Sequence, residues 1–207
     1  MIDNFEFIED THTYLLNKRK IPAVTDIMKF VTDYKYSIIP DTILENAQEK
    51  GTAVHFAAEV FNKTGFKGID SQYKGYLDAY IKWINDFNID RTKIESEIKT
   101  YNRALNYAGT IDMVYDKNTI IDIKTTFQLD LDSVSVQTSA YKKAINNFDY
   151  NVKDCYVLRL KNDGNYEYIK LEDRFNIFLA CLTLYNFINK WKEKIWENLR
   201  LFIINKN

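Results

Sequence analysis

The chain has 207 residues, 46% of them hydrophobic and 15% aromatic, with 28 Lys and Arg against 29 Asp and Glu and a formal net charge of −1. That length can bury a full core, and six Gly with two Pro exclude a disordered or collagen-like chain. The balanced charge excludes a broad basic coat for nucleic acid, and two cysteines are too few for a disulfide framework.

Asp3, Glu6, Glu9 and Asp10 interrupt the opening segment, so no signal-peptide core follows Met1. No run approaches 18 apolar residues, so a cytoplasmic protein without a membrane span is expected. Phe5 to Phe7 and Thr13 to Leu16 alternate around Glu9, Asp10 and Thr11, which predicts a short hairpin. After Pro22, residues 24–31 read as a short helix with Thr25 as its cap. Asp41 is placed to cap a longer helix over 42–62, with Gly65 just beyond its end and Gly51 as a point where it could divide. Between Tyr73 and Phe87, Tyr76, Leu77, Tyr80, Ile81 and Ile84 recur at helical spacing and read as core packing.

The period then changes from 3.6 to 2. Residues 94–101, 107–115 and 119–126 read as a three-stranded meander. A helix over 133–147 follows, then a hairpin of 153–160 with 166–171, and a last helix over 173–201. One domain is expected, divided into an N-terminal hairpin and helix (1–40), a stretch carrying the chemical motifs (41–150) and a C-terminal hairpin and long helix (151–207).

Chemistry concentrates between Gly109 and Thr125. On a strand Asp122 and Lys124 share one face. If Asp116, Lys117 and Asn118 form the loop, Tyr115 pairs with Thr119 and Asp112 falls opposite Asp122, with Cβ atoms about 4.5–5.5 Å apart. Two carboxylates that close repel unless a cation lies between them, and a hard divalent ion answers that need. Lys124 would then stand beside the ion, placed to stabilise charge on a phosphate. An Asp-x-Lys on a hairpin is most often a solvated face, but the apolar residues crowding both strands point to burial, and buried acids need partners. His55 and Glu59 are i and i+4 on the predicted helix, as are Gln137 and Tyr141 on the next one. Glu95, Glu97 and Lys99 would share one strand face. His12, in a polar turn, earns no functional reading.

The order of these elements resembles the RecB-like, phage-type exonuclease branch of the PD-(D/E)XK nuclease superfamily. The matching residues are Gly51 to His55, Glu97, Gly109 to Asp112, Asp122 to Thr125, and Gln137 to Tyr141. The segment from Ile21 to Met28 also looks like the entry segment of phage-type members. The resemblance implies an α/β fold with a restriction-endonuclease-like core, a central mixed β-sheet flanked by helices. It implies Mg²⁺ or Mn²⁺ held by His55, Asp112, Asp122 and the Ile123 backbone carbonyl. Lys124 would be the catalytic lysine, acting with Asp122, Asp112 and Glu97, and Gln137, Tyr141 and Thr125 would contact DNA. Glu95 could take the place of Glu97 in a shifted register, and Glu59 has no assigned role.

Some RecB-like relatives hold an iron–sulfur cluster on four cysteines; with only Cys155 and Cys181, no iron–sulfur cluster is expected. No phosphate-binding G-x-x-x-x-G-K-[ST] loop is present, so any unwinding must come from another protein, such as a recombination or single-strand-binding partner. The resulting expectation is a metal-dependent deoxyribonuclease, exonuclease ahead of endonuclease, of phage recombination or DNA-processing type. Its oligomeric state is open. Two rivals are a retaining glycosidase, which has no use for Lys124 or His55, and a non-catalytic DNA-binding accessory that kept the fold. Arg103, Lys142 and Lys143 are the cations expected nearest the DNA groove.

Overall fold

The computed structural model describes residues 3–37 and 39–204. Three short antiparallel strands open the chain: β1 (Phe5–Ile8), β2 (Thr13–Leu16) and β3 (Arg19–Ile21), in the order β1-β2-β3. The first two form the expected hairpin. The third was not read from the sequence, because Arg19 and Lys20 leave only Ile21 as an apolar signal.

A five-stranded sheet forms the centre: β4 (Ile94–Asn102), β5 (Tyr107–Tyr115), β6 (Thr119–Lys124), β7 (Asp154–Leu160) and β8 (Tyr166–Lys170), ordered as they occur in sequence. Three of the four neighbouring pairs, β4–β5, β5–β6 and β7–β8, are antiparallel and joined by short turns, while β6 and β7 pair parallel. A parallel pair needs a long crossover, and helix α4 (Leu131–Ile145) supplies it. The sheet is therefore mixed, with helices on both faces, consistent with a restriction-endonuclease-like core.

Each face has its own apolar core. Against one pack α1 (Val24–Tyr36), α4 and α5 (Phe175–Ile204), burying Ile27, Val134, Ala140 and Phe178 on Val114, Ile120 and Val157. Against the other pack α2 (Asp41–Thr64) and α3 (Lys74–Asp86), burying Val54, Ala57, Tyr80 and Trp83 on Met113, Ile121, Ile123 and Leu158. Sheet strands covered on both faces read as nearly continuous apolar runs, which is why residues 119–123 looked buried.

Three helix details differ from expectation. The second helix runs unbroken through Gly51 and starts at Asp41 with Pro40 at the cap position, so Asp41 lies in its first turn and does not cap it. Gly65 does end it, at φ +76°, where its N–H donates to the Phe61 carbonyl at 2.8 Å. The first helix begins after Ala23, whose N–H is accepted by the Asp26 carboxylate at 3.3 Å, so Thr25 is not the cap. No helix of the described residues is long and apolar enough to cross a membrane.

The regular alternation of β4 and β5 breaks at one point, and it is the point that matters. Ser96 pairs with Met113 and Ile98 with Ile111, but Glu97 and Asp112 between them form no ladder pair. Glu97 sits at φ +54°, a left-handed backbone that a non-glycine residue adopts only under constraint. Across this break the strands exchange faces. Ile111 packs into the α4-side core, whereas Met113, two residues on, packs into the α2-side core. On an unbroken strand those two residues would share a face.

Candidate metal and phosphodiester site

The break gathers the acids. Helix α2 carries His55 to the sheet, where its Nδ1 lies 3.7 Å from Asp112 Oδ1 and 4.0 Å from Glu97 Oε1. One ligand atom from each of these three residues falls within 4.8 Å of the others. Two acids and an imidazole in that space form a donor set suited to a hard or borderline divalent cation.

The Ile123 backbone ties the group together from both sides. Its N–H donates to Asp112 Oδ2 at 2.8 Å, and its carbonyl lies 3.1 Å from His55 Nε2. A proton on Nε2 that donates to this carbonyl leaves Nδ1, the nitrogen facing the acids, with a lone pair for a cation. The hairpin register is as counted, with Tyr115 opposite Thr119, but the ladder ends at Met113 and Ile121. Asp112 therefore does not pair with Asp122 across the strands; its carboxylate takes the place of a ladder acceptor for Ile123.

Asp122 stands outside the group of three. It is 2% exposed, and its Oδ2 lies 2.6 Å from Lys124 Nζ. Lys124 occupies one acceptor position of that carboxylate oxygen, which leaves a further lone pair that a cation can use. Burial pushes the Asp122 carboxyl up to about 6, with Asp112 adding to the rise and Lys124 opposing it. Burial and the Asp112 charge likewise raise Glu97.

These shifts fix a pH dependence. Between the unfolded value near 3.8 and about 6, the folded chain holds a proton at Asp122 that the unfolded chain has lost. Stability of the metal-free protein should therefore fall as pH rises through that window, the cost being complete above it. Surface acids such as Asp86 and Asp154, lowered by Lys82 and Lys170, slope the opposite way at lower pH. Thermal melts in EDTA should show a lower midpoint at pH 7 than at pH 5, and Asp122→Asn should flatten that difference. An unchanged slope in Asp122→Asn would exclude Asp122 as its source.

Gln137 and Tyr141 meet on one face of α4, the Gln137 amide donating to the Tyr141 hydroxyl at 3.0 Å. Tyr141 is 4% exposed and packs on Gly109 so closely that a Cβ there would lie 2.4 Å from its Cε1. This contact links two of the sequence motifs: the glycine exists to admit the tyrosine. Gly109→Ala should cost about 1–3 kcal/mol through overpacking. Gly51→Ala, in a helix interior with nothing within 4 Å, should add about 0.5–1 kcal/mol. Urea unfolding of the two variants checks both signs.

A cleft of about 710 Å³ opens over His55, Glu97 and Asp112. Glu59, Gln137 and Tyr141 also line it, and Glu59 pairs with Lys63 at 2.5 Å. Thr125 is buried and lines neither this cleft nor the smaller pocket beside Lys124. Glu95 accepts from the Tyr150 hydroxyl at 2.7 Å, separated from Glu97 by the face exchange, so the three-residue face of Glu95, Glu97 and Lys99 does not form. The expected groove cations also lie elsewhere. Arg103 pairs with Asp3, Lys142 donates to the Lys153 carbonyl, and Lys143 covers the Phe175 ring.

The far wall was missed altogether. Phe7, His12 and Tyr14 line the cleft, with Tyr14 bonded to Thr110 at 2.7 Å and Lys99 standing over the Phe7 ring. The N-terminal sheet reaches the site because Ala108 donates to the Pro22 carbonyl and Ala23 bridges Ala108. No local pattern around His12 signals that contact.

No family model matches the chain, and no curated protein matches it. Among solved structures it is similar to SSO0001, at 14% identity and TM-score 0.45, covering 79% of this chain and 72% of that one. It is also similar to an alkaline exonuclease, LHK-Exo from Laribacter hongkongensis, at 13% identity and TM-score 0.37, covering 68% and 84%. Likenesses this distant leave function to be argued from the chain's own residues.

Proposed function

We propose that the chain is a metal-dependent deoxyribonuclease that hydrolyses DNA phosphodiester bonds, working as an exonuclease. The observation that carries this reading is the meeting of His55, Glu97 and Asp112 in an open cleft, with the buried Asp122–Lys124 pair beside it.

The residues fit a divalent ion. Burial first and the Asp112 charge second raise Glu97, a cation between the carboxylates would offset both, and the buried Asp122 oxygen retains acceptor capacity. His55, Glu97 and Asp112 would hold Mg²⁺ or Mn²⁺, with Asp122 and the Ile123 carbonyl adjoining. When bound, such an ion supplies Lewis acidity and lowers the pKa of coordinated water.

The chain's own groups do the rest. Asp122 keeps the Lys124 ammonium charged and aimed, so that it can donate to a phosphate oxygen as negative charge grows there. Asp112, fixed by the Ile123 N–H, cannot swing away from its neighbours. Gln137 and Tyr141 hold a polar edge along the cleft for the sugar-phosphate strand. With a formal net charge of −1, DNA binding should depend on the divalent ion more than on bulk charge.

A time course on end-labelled linear DNA, closed circular DNA and single strands, with Mg²⁺, Mn²⁺ or EDTA, tests the reading. Mononucleotides from linear DNA that vanish in EDTA are expected. Nicked circles would make it an endonuclease, and metal-dependent binding without cleavage of any substrate would make it a DNA-binding accessory.

A further inference from the structure

A second pocket, of about 310 Å³, is lined by Lys124 and adjoins the acids' cleft, because Thr25 and Gln137 line both spaces. Its apolar walls come from three elements: Met28 on α1, Val134 on α4, and Leu129 in the segment that follows β6. Met28 and Val134 are 3% and 4% exposed, so two of the walls are set by the core. Thr126 and Gln128 add a hydroxyl and an amide.

The segment is held in place before any ligand arrives. The Arg159 Nε donates to the Thr126 carbonyl at 2.9 Å, its Nη2 to the Phe127 carbonyl, and its Nη1 pairs with Glu167 at 3.1 Å. At the segment's far end Asp130 accepts the Ser133 N–H at 3.2 Å and caps α4. A preformed pocket loses little free energy to ordering on binding.

Resting on the nuclease reading, we propose that this pocket holds the terminal nucleoside of the DNA strand, across the scissile phosphate from the cleft. Three features select that ligand. The volume suits a single small molecule and cannot admit a stacked duplex end. Apolar walls match the flat faces of a base, while an amide and a hydroxyl match its edges. Lys124, in the lining of the pocket, supplies the cation that a 5′- or 3′-phosphate on that nucleoside requires. Water then adds across one P–O bond: its oxygen joins phosphorus, its proton goes to the departing oxygen, and one mononucleotide leaves per cut. A pocket for one nucleoside makes that cut exonucleolytic.

The test is titration of thymidine 5′-monophosphate and deoxyadenosine 5′-monophosphate into the full chain in EDTA, followed by methyl NMR. Saturable shifts at the Met28, Leu129 and Val134 methyls are expected, with a dissociation constant below about 1 mM. They should weaken at least tenfold in Val134→Trp, which fills the pocket, and in the exposed Gln128→Ala, which leaves the core alone. Asp112→Asn should keep them. No saturable shift at these methyls, or equal affinity in both pocket variants, would overturn the proposal. Binding here together with no DNA cleavage would refute the nuclease reading and leave a nucleotide pocket standing. Mononucleotide release without binding here would refute the pocket alone.

Discussion

Asp112→Asn is expected to lower Mg²⁺-dependent DNA cleavage at least about a thousandfold while the fold stays intact, since it removes the charge that the metal and the transition state both need. Asparagine keeps an oxygen that can accept the Ile123 N–H, the 2.8 Å bond that closes the splayed end of the β5–β6 hairpin. It also relieves the Asp112 repulsion that adds to the larger effect of burial in raising Glu97, so stability at pH 7 should hold or rise slightly. Initial rates on linear DNA, alongside circular dichroism melts, check both parts. A variant cutting within tenfold of the wild type would remove Asp112 from the site.

Lys124→Ala should behave differently, because it strands a buried charge. Asp122 is 2% exposed and Lys124 is its cation at 2.6 Å. Removing one partner of a buried pair typically costs about 3–5 kcal/mol. The loss should shrink toward pH 5, where Asp122, already raised by burial, protonates and no longer needs a cation. Asp122→Asn combined with Lys124→Met should recover most of the stability without recovering cleavage. That pattern separates holding the fold from acting on the phosphate. Urea unfolding at pH 5 and pH 7 measures it, and a Lys124→Ala loss that does not change between those pH values would contradict the charge argument.

Much of this site was legible in the sequence because the chemistry lies in short spacings. The three-residue loop of Asp116, Lys117 and Asn118 fixed the hairpin register, and the i and i+4 spacing placed Gln137 against Tyr141. Gly65 marked the end of α2 because only a residue tolerant of φ +76° fits there. What stayed hidden depended on broken periodicity or distant contact. Counting by twos put Glu95 with Glu97, and the left-handed backbone at Glu97 undid it. The same break turned the Asp112 carboxylate to the Ile123 N–H in place of a ladder pair with Asp122.

The cleft's outer wall shows the second kind of blindness. Phe7, His12 and Tyr14 reach the acids only through the join between Ala23 and Ala108, residues 85 apart in the chain. Gly51, by contrast, misled in the plain direction: an isolated glycine lowers helix propensity by about 1 kcal/mol, which the packing of Val54, Ala57 and Phe61 outweighs.

The most direct test of the site is electron paramagnetic resonance of Mn²⁺ titrated into the wild-type chain and Asp112→Asn at pH 7 without DNA. Saturable binding in the wild type, displaced by Mg²⁺ and weakened at least tenfold in the variant, is the predicted result. Free Mn²⁺ signal at every ratio in the wild type, or equal binding by both proteins, would contradict the assignment of His55, Glu97 and Asp112 as the metal centre.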